Sequence, residues 1–262
     1  MSDFDHRETE AHYQTLLAPI YAWMLGDLDT ARATAAAELA RLGIGAPGSG
    51  PKTGANRRAL DLGAGIGLHA AALTALGYQV TAIDSSVELL AQLARACPGA
   101  ITIAGDLVSA AARTAGPFEL IVCMGDTLTH LSSPEVVRDA LDAAARLLAP
   151  DGTLVLTFRD YTRARRGAAR FFLVRGDDQR ILTCCLDYDE TRVAVTDVVH
   201  ERARAGTDGG AWQMRASTYH KLRLTAVEIA ATLDALGLAV ARADSEAGWI
   251  TVVARGAQKP DR

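Results

Sequence analysis

From Arg58 to Phe158, short apolar runs alternate with stretches whose apolar residues recur every three or four positions. RALDL (58–62), QVTAI (79–83), AITIA (100–104), FELIVCM (118–124) and TLVLTF (153–158) read as strands. The spacing between them predicts helices over 67–76, 86–96, near 107–113 and over 134–148. Such alternation implies parallel strands joined by right-handed crossovers, with helices on both faces of the sheet. The expected fold class is α/β, a doubly wound and mostly parallel sheet.

The flanks carry other patterns. Residues 7–42 read as a helical cap broken near Pro19 and Gly26, with Tyr13, Leu17, Tyr21 and Met24 at helical spacing. GIGAPGSGPKTGAN, 43–56, is rich in Gly and Pro and reads as a flexible linker. After residue 160, FFLVRG, QRILTCCLDYDE, RVAVTDVVHERA and WQMRASTYHKLR read as antiparallel strands separated by GDD and GTDGG. The chain then predicts a helix capped by Thr225 with Glu228 three positions on, followed by LAVARA and WITVVA as a hairpin across DSEAG. One strand of that hairpin must run against the sheet. The expected division is 1–42 cap, 43–57 linker, 58–160 first half of the main domain, 161–223 β insertion and 224–256 closing helix and hairpin.

Composition narrows the function. A net charge of −4 argues against a general nucleic-acid binder, although six arginines fall between Arg159 and Arg175 and make a local basic site. Cys97, Cys123, Cys184 and Cys185 lack metal-ligand spacing, and an adjacent pair is poorly placed to bridge itself. They read as reduced thiols of a cytoplasmic protein, with no metal cluster. The first residues, MSDFDHRETE, are unlike a signal peptide, and no apolar run approaches the roughly 20 residues that cross a bilayer.

LDLGAGIGLHA, 60–70, places Gly63, Gly65 and Gly67 directly after the first strand. In an open α/β sheet, ligands bind beyond the carboxyl ends of the strands. Glycines there open unusual dihedrals and let a ligand touch the main chain. A tight turn with no ligand would use the same residues. Asp84, ending the second strand, offers a carboxylate to two ribose hydroxyls, and Asp106 in AGDL offers one to an adenine amino group. A dinucleotide motif would place its third glycine where Leu68 stands, which disfavours a nicotinamide-dependent dehydrogenase. No G-K-S or G-K-T occurs. The pattern favours an adenosine without a pyrophosphate.

On LDLGAGIG, AIDSS, AGDL and FELIVCMGDTLTHL, taken in that order, the chain resembles the class I S-adenosylmethionine-dependent methyltransferases. The resemblance covers residues 58–158, and the final helix and hairpin resemble that family's reversed last strands. It implies a seven-stranded Rossmann-like sheet and S-adenosyl-L-methionine as cofactor, with S-adenosyl-L-homocysteine as product. It also implies roles: backbone at Gly63, Ala64 and Gly65 against the methionine moiety, Asp84 on the ribose, and Ser85 beside the adenine. Asp106 and Leu107 would meet the adenine edge, with Met124 and Gly125 closing the other side. Asp61 would organise the turn or reach the methionine amino group through water.

In that fold CMGDTLTHL faces the reacting sulfonium, which makes Asp126, Thr129 and His130 candidates for the acceptor side. His130 could serve as a base, its ordinary pKa being about 6.5, or could only shape the pocket. TFRDY, ending at Tyr161, is similar to the H-R-N-Y segment of glycine and sarcosine N-methyltransferases, with Phe158 and Asp160 in place of His and Asn. Tyr13 and Tyr21 of the cap would close over the cofactor or pack as core aromatics. His130, Tyr21 and Arg159 are the candidate catalytic residues, and Tyr13 and Tyr21 join the cofactor-binding set. The arginines beyond Arg159 read as a solvated rim, as a fork for an acidic substrate, or least readily as an RNA track. The expected partner is a small-molecule methyl acceptor, anionic in character, with no nucleic acid or membrane and with the option of a homo-oligomer. A non-catalytic module that keeps the cofactor site is the alternative.

Overall fold

The computed structural model describes residues 6–45, 57–203 and 211–256. The 46–56 part of the expected linker and the GTDGG turn lie outside these residues. The described residues start with helix α1 (His6–His12), a π turn (Tyr13–Leu17), a 3-10 turn (Ala18–Ile20) and α2 (Tyr21–Leu25). Pro19 sits in the first turn of the 3-10 segment, where a missing N–H costs nothing. Gly26 ends α2 at φ 86°, and Asp27 caps α3 (Leu28–Arg41) by accepting from the Thr30 N–H at 2.8 Å.

The main domain alternates as the sequence predicts. Its elements are β1 (Arg58–Leu62), α4 (Leu68–Ala75), β2 (Gln79–Asp84), α5 (Val87–Ala96), β3 (Ile101–Ala104), α6 (Leu107–Ala112), β4 (Phe118–Cys123), α7 (Pro134–Leu147) and β5 (Leu148–Arg159). The insertion supplies β6 (Phe171–Gly176), β7 (Arg180–Tyr188), β8 (Arg192–Arg202) and β9 (Trp212–Leu222). Helix α8 (Ala226–Ala235), β10 (Leu238–Glu246) and β11 (Trp249–Gly256) follow. Thr225 and Glu228 form the expected reciprocal cap on α8.

The large sheet has the order β10-β11-β5-β4-β1-β2-β3, with β11 antiparallel to both neighbours and the five strands β1 to β5 parallel. This is the seven-stranded, mostly parallel sheet with one reversed strand. The closing hairpin is tighter than expected: β10 runs through DSE, and only Ala247 (φ 50°) and Gly248 (φ 80°) turn the chain. Two positive φ values in succession match the twist of the flanking strands.

Central strands are apolar on both faces because helices cover both. Leu60 and Ile121 pack into one core cluster, and their neighbours Ala59, Leu120 and Val122 into the other. The strand order reverses between β1 and β4, so a crevice opens beyond their carboxyl ends.

The four-stranded antiparallel insertion, β6-β7-β8-β9, turns one face inward. Along β8 the buried residues Val193, Val195, Asp197 and Val199 alternate with less buried ones, so a carboxylate occupies an otherwise apolar row. The cap bridges the two sheets: Leu16, Leu17 and Ile20 pack on Leu182 and Val199 of the insertion, and Ala18 packs on Ile66 and Leu89 of the main domain. Cap, insertion and strand ends therefore surround one space. Among the described residues, no helix is long and apolar enough to cross a membrane.

Candidate active site

That space is a cavity of about 1180 Å³, lined by residues from the cap, the ends of β1 to β5, the insertion and the closing hairpin. Every candidate site residue named from the sequence lines it except Asp61 and Thr129, the latter buried with its hydroxyl on Asp126.

The glycine turn forms one wall. Gly63 has φ 73°, and a Cβ there would lie 2.2 Å from Cγ2 of Thr127, so both dihedral and space demand glycine. Gly65 faces open space, leaving its backbone bare to the cavity. At Gly67 a Cβ would lie 2.5 Å from Leu93 Cγ, so this glycine serves the approach of α5 and not a ligand.

Asp84 braces the turn from the end of β2. Its Oδ2 accepts from the Gly65 N–H at 2.8 Å and its Oδ1 from the Ser86 N–H at 2.8 Å. Burial raises its pKa against the pull of these hydrogen bonds. Ser85 beside it is exposed. Asp106 acts locally as the N-cap of α6, accepting from the N–H groups of Val108 and Ser109 at 3.1 and 2.9 Å, while Leu107 is buried behind it. Met124 and Gly125 close the opposite wall, with the Gly125 N–H held by Thr157 Oγ1 at 2.9 Å.

Asp61, read from the sequence as organising the turn or reaching the ligand through water, is enclosed. It is 1% exposed, lies off the cavity lining, and its Oδ2 has no partner among the described residues. Burial raises its pKa to about 6, against the opposing pull of nearby His69. It lies behind the turn near the start of α4, where the Ala70 N–H reaches it.

The far end of the cavity holds a polar and aromatic cluster. Asp126, just past β4, is its hub: Lys221 Nζ donates to Oδ2 at 2.5 Å and Tyr161 Oη to the same oxygen at 2.8 Å. Thr129 Oγ1 and the Arg159 N–H donate to Oδ1 at 2.9 and 3.0 Å. Burial alone would raise the Asp126 pKa, but Lys221, His130 and these hydrogen bonds outweigh it and leave about 2. Asp126 and Lys221 are thus a neutral, buried ion pair.

His130 stacks on Tyr219 with ring centroids 5.4 Å apart and planes at 4°, and its Nε2 lies 3.4 Å from Tyr13 Oη. Tyr219 in turn lies 4.1 Å from the ring of His12, whose Nε2 is 3.1 Å from Asp197 Oδ2. Burial, and then Lys221, push the His130 pKa down to about 3. The ordinary histidine value expected from sequence does not hold here: the ring is neutral near pH 7 and a weak base. Tyr21 is 6.4 Å from Tyr13 between ring centroids, and burial raises the pKa of both phenols.

Arg159 divides in two. Its backbone organises Asp126, whereas its guanidinium lies at the mouth, 4.5 Å from the Trp249 ring centroid. Arg165 stands likewise 4.6 Å from the ring of Phe172, and Arg163 joins it on the rim. Farther on, Arg170 pairs with Asp187, and the Arg175 guanidinium lies against Gly26.

A family model described as "Methyltransferase domain" matches residues 59–152. Over those residues the chain is similar to a methyltransferase domain. It is 31% identical over 109 residues to the glycine/sarcosine N-methyltransferase of Aphanothece halophytica, covering 40% of this chain and 41% of that one. To the ubiquinone biosynthesis O-methyltransferase of Burkholderia multivorans it is 36% identical over 124 residues, 44% of this chain and 51% of that protein. The chain thus spans about half the length, or less, of these curated relatives. The fold extends further: the SAM-bound amino pentose methyltransferase of Micromonospora echinaspora involved in calicheamicin biosynthesis superposes with a TM-score of 0.70 at 20% identity, over 95% of this chain and 96% of that one. DesVI of Streptomyces venezuelae gives 0.71 at 18%, over 98% and 100%. The Rossmann-like fold with its β insertion is therefore shared along nearly the whole chain.

Outside residues 59–152, reading the sequence missed Asp197, Tyr219 and Lys221, which line the far end of the cavity. One signal was present. Asp197 and Lys221 fall in the inward phase of strands β8 and β9, where alternation calls for apolar side chains. Glu38 and His69 line the cavity beside the glycine turn and were also unassigned.

Proposed function

We propose that the protein is an S-adenosylmethionine-dependent methyltransferase acting on a nitrogen of a small-molecule acceptor. The observation that carries this reading is the single cavity joining two chemically different ends: Asp84, Asp106 and the bare glycine turn at one, and the Tyr13, His130, Tyr219 and Lys221–Asp126 cluster at the other. The first end fits an adenosyl group carrying an amino acid. Gly65 leaves its backbone exposed with open space where a Cβ would sit, Gly63 lines the same wall with Thr127 packed against it, and Asp84 stands at the strand end where a ribose would be held. Met124 and Gly125 would flank it.

The cofactor brings a methyl group already activated on a sulfonium. What remains for the chain is to align the acceptor in line with that carbon and to exclude water. The cap serves exclusion, since Tyr13, Leu17 and Tyr21 roof the cavity. Acceptor alignment falls to the aromatic cluster, with Tyr13 and His130 in contact and Tyr219 stacked behind.

The buried ionic state favours nitrogen over oxygen. A hydroxyl acceptor gains from a base whose pKa lies near the working pH, and His130, at about 3, is far from that. An amine needs only to arrive deprotonated. The relatives include both a glycine/sarcosine N-methyltransferase and a ubiquinone biosynthesis O-methyltransferase, so the choice of nitrogen rests on the site itself. At the mouth, Arg159, Arg163 and Arg165 suit an acceptor with an anionic group.

The deciding experiment feeds methyl-labelled S-adenosylmethionine and the purified protein to a desalted and an undesalted cell extract. Label appearing in a small compound only when both protein and extract metabolites are present is the expected result. Cofactor binding without transfer to any compound would instead make the protein a binding module.

A further inference from the structure

We infer that His69 and Glu38 form the subsite for the amino-acid end of the cofactor, His69 meeting its carboxylate and Glu38 its ammonium group. The inference rests on the methyltransferase reading and assigns two residues that the sequence motifs leave without a role.

The argument starts from position. With adenosine at Asp84 and Asp106, the strand order β4-β1-β2-β3 leads the rest of the molecule back across the glycine turn toward β1 and β4. A zwitterion there needs one cationic and one anionic partner on the cavity wall. Asp61, the acid that the motif offers, is enclosed and off that wall.

The cations that line the cavity are limited among the described residues. Lys221 is committed to Asp126 at 2.5 Å, and Arg159, Arg163 and Arg165 follow β5 at the mouth. His69 is the basic side chain beside the turn, two residues after Gly67 on the first turn of α4. Its Nε2 lies 3.0 Å from Glu38 Oε2, which reaches across from α3, and their side chains are 18% and 37% exposed. Asp61 acts on the same imidazole from below.

An imidazole and a carboxylate, held together and open to the cavity, match the two ends of an α-amino acid. Imidazole Nε2 is taken by Glu38, Nδ1 would donate to the ligand's carboxylate with the ring carrying both protons between the two carboxylates, and Glu38 keeps a second oxygen for an ammonium group. Glu38 belongs to the cap and His69 to the main domain, so a ligand that engages both also ties those two parts together.

The test uses two ligands that share the adenosyl thioether and differ in the amino-acid end: S-adenosylhomocysteine and 5′-methylthioadenosine. Calorimetry on the full chain is expected to show the wild type binding the first at least about tenfold more tightly. His69→Ala, His69→Gln and Glu38→Gln each lower S-adenosylhomocysteine affinity by about five- to tenfold, the scale of one charge-assisted hydrogen bond, and leave 5′-methylthioadenosine within about twofold. His69→Gln keeps a donor toward Glu38 and guards against misfolding. Equal losses for both ligands, or no loss for either, overturn the subsite. A wild type that binds neither ligand overturns the cofactor reading itself.

Discussion

Lys221 of the insertion and Asp126 of the main domain meet at 2.5 Å on the cavity floor, with side chains 9% and 12% exposed. Each neutralises the other, and Tyr161 and Thr129 satisfy further lone pairs of the carboxylate. Removing one partner leaves a buried charge with nothing opposite it, which costs about 3–5 kcal/mol. Lys221→Met should lose that much in urea unfolding, and the double variant Lys221→Met with Asp126→Asn should recover at least half. A single variant within about 1 kcal/mol of wild type, the range of an exposed pair, would show that the pair is solvated.

His130 makes stability depend on acid. Its folded pKa, about 3, lies below the unfolded value of about 6.5. The unfolded chain therefore takes up the proton first, so this stabilisation is complete above pH 6.5 and declines as pH falls toward 3. Each pH unit inside that window removes up to about 1.4 kcal/mol. Unfolding midpoints measured between pH 7.5 and 5 should fall less steeply for His130→Gln than for wild type. Parallel profiles would mean that the ring is hydrated.

Asp61 acts with the opposite sign. Burial lifts its folded pKa to about 6, above the unfolded value of about 4, so the fold prefers the protonated acid. Its contribution is full below pH 4 and is lost as pH rises through 6. Asp61→Asn removes that loss, and its stability relative to wild type should be about 2–3 kcal/mol better at pH 7.5 than at pH 4. Urea titrations at the two pH values check this, and a constant difference would reject a buried titrating acid.

These two residues also show what was readable along the chain. The glycine turn, Asp84 and the capping box of α8 were legible because each is local: a few neighbouring residues and one strand end determine them. The cavity floor was not. Asp126 gains its meaning from Tyr161, 35 residues on, and from Lys221, 95 residues on, in a different sheet. His130 was visible as a candidate, but its protonation state depends on enclosure by the cap and insertion, which no spacing encodes. Asp61 was legible as two alternatives, organising the turn or reaching the ligand through water, and its enclosure at 1% exposure comes from packing that no spacing encodes.

Asp84 braces the glycine turn and, on the proposed reading, would also hold a ribose, and one substitution does not separate the two. Its carboxylate already holds the Gly65 and Ser86 N–H groups at 2.8 Å each, and a ribose would use the remaining lone pairs. Asp84→Ala should weaken S-adenosylmethionine binding in calorimetry by at least about tenfold, within the range for hydrogen bonds to a charged group. That loss alone could arise from a loosened glycine turn. Comparing adenosine with 2′,3′-dideoxyadenosine isolates the hydroxyls: the wild type should prefer adenosine, and Asp84→Ala should bind the two nearly alike. If the variant keeps the full preference while losing affinity for both, Asp84 only braces the turn. If its affinity for S-adenosylmethionine is unchanged, the carboxylate faces no ribose, because neither removing the acceptor nor loosening Gly65 was felt by the ligand.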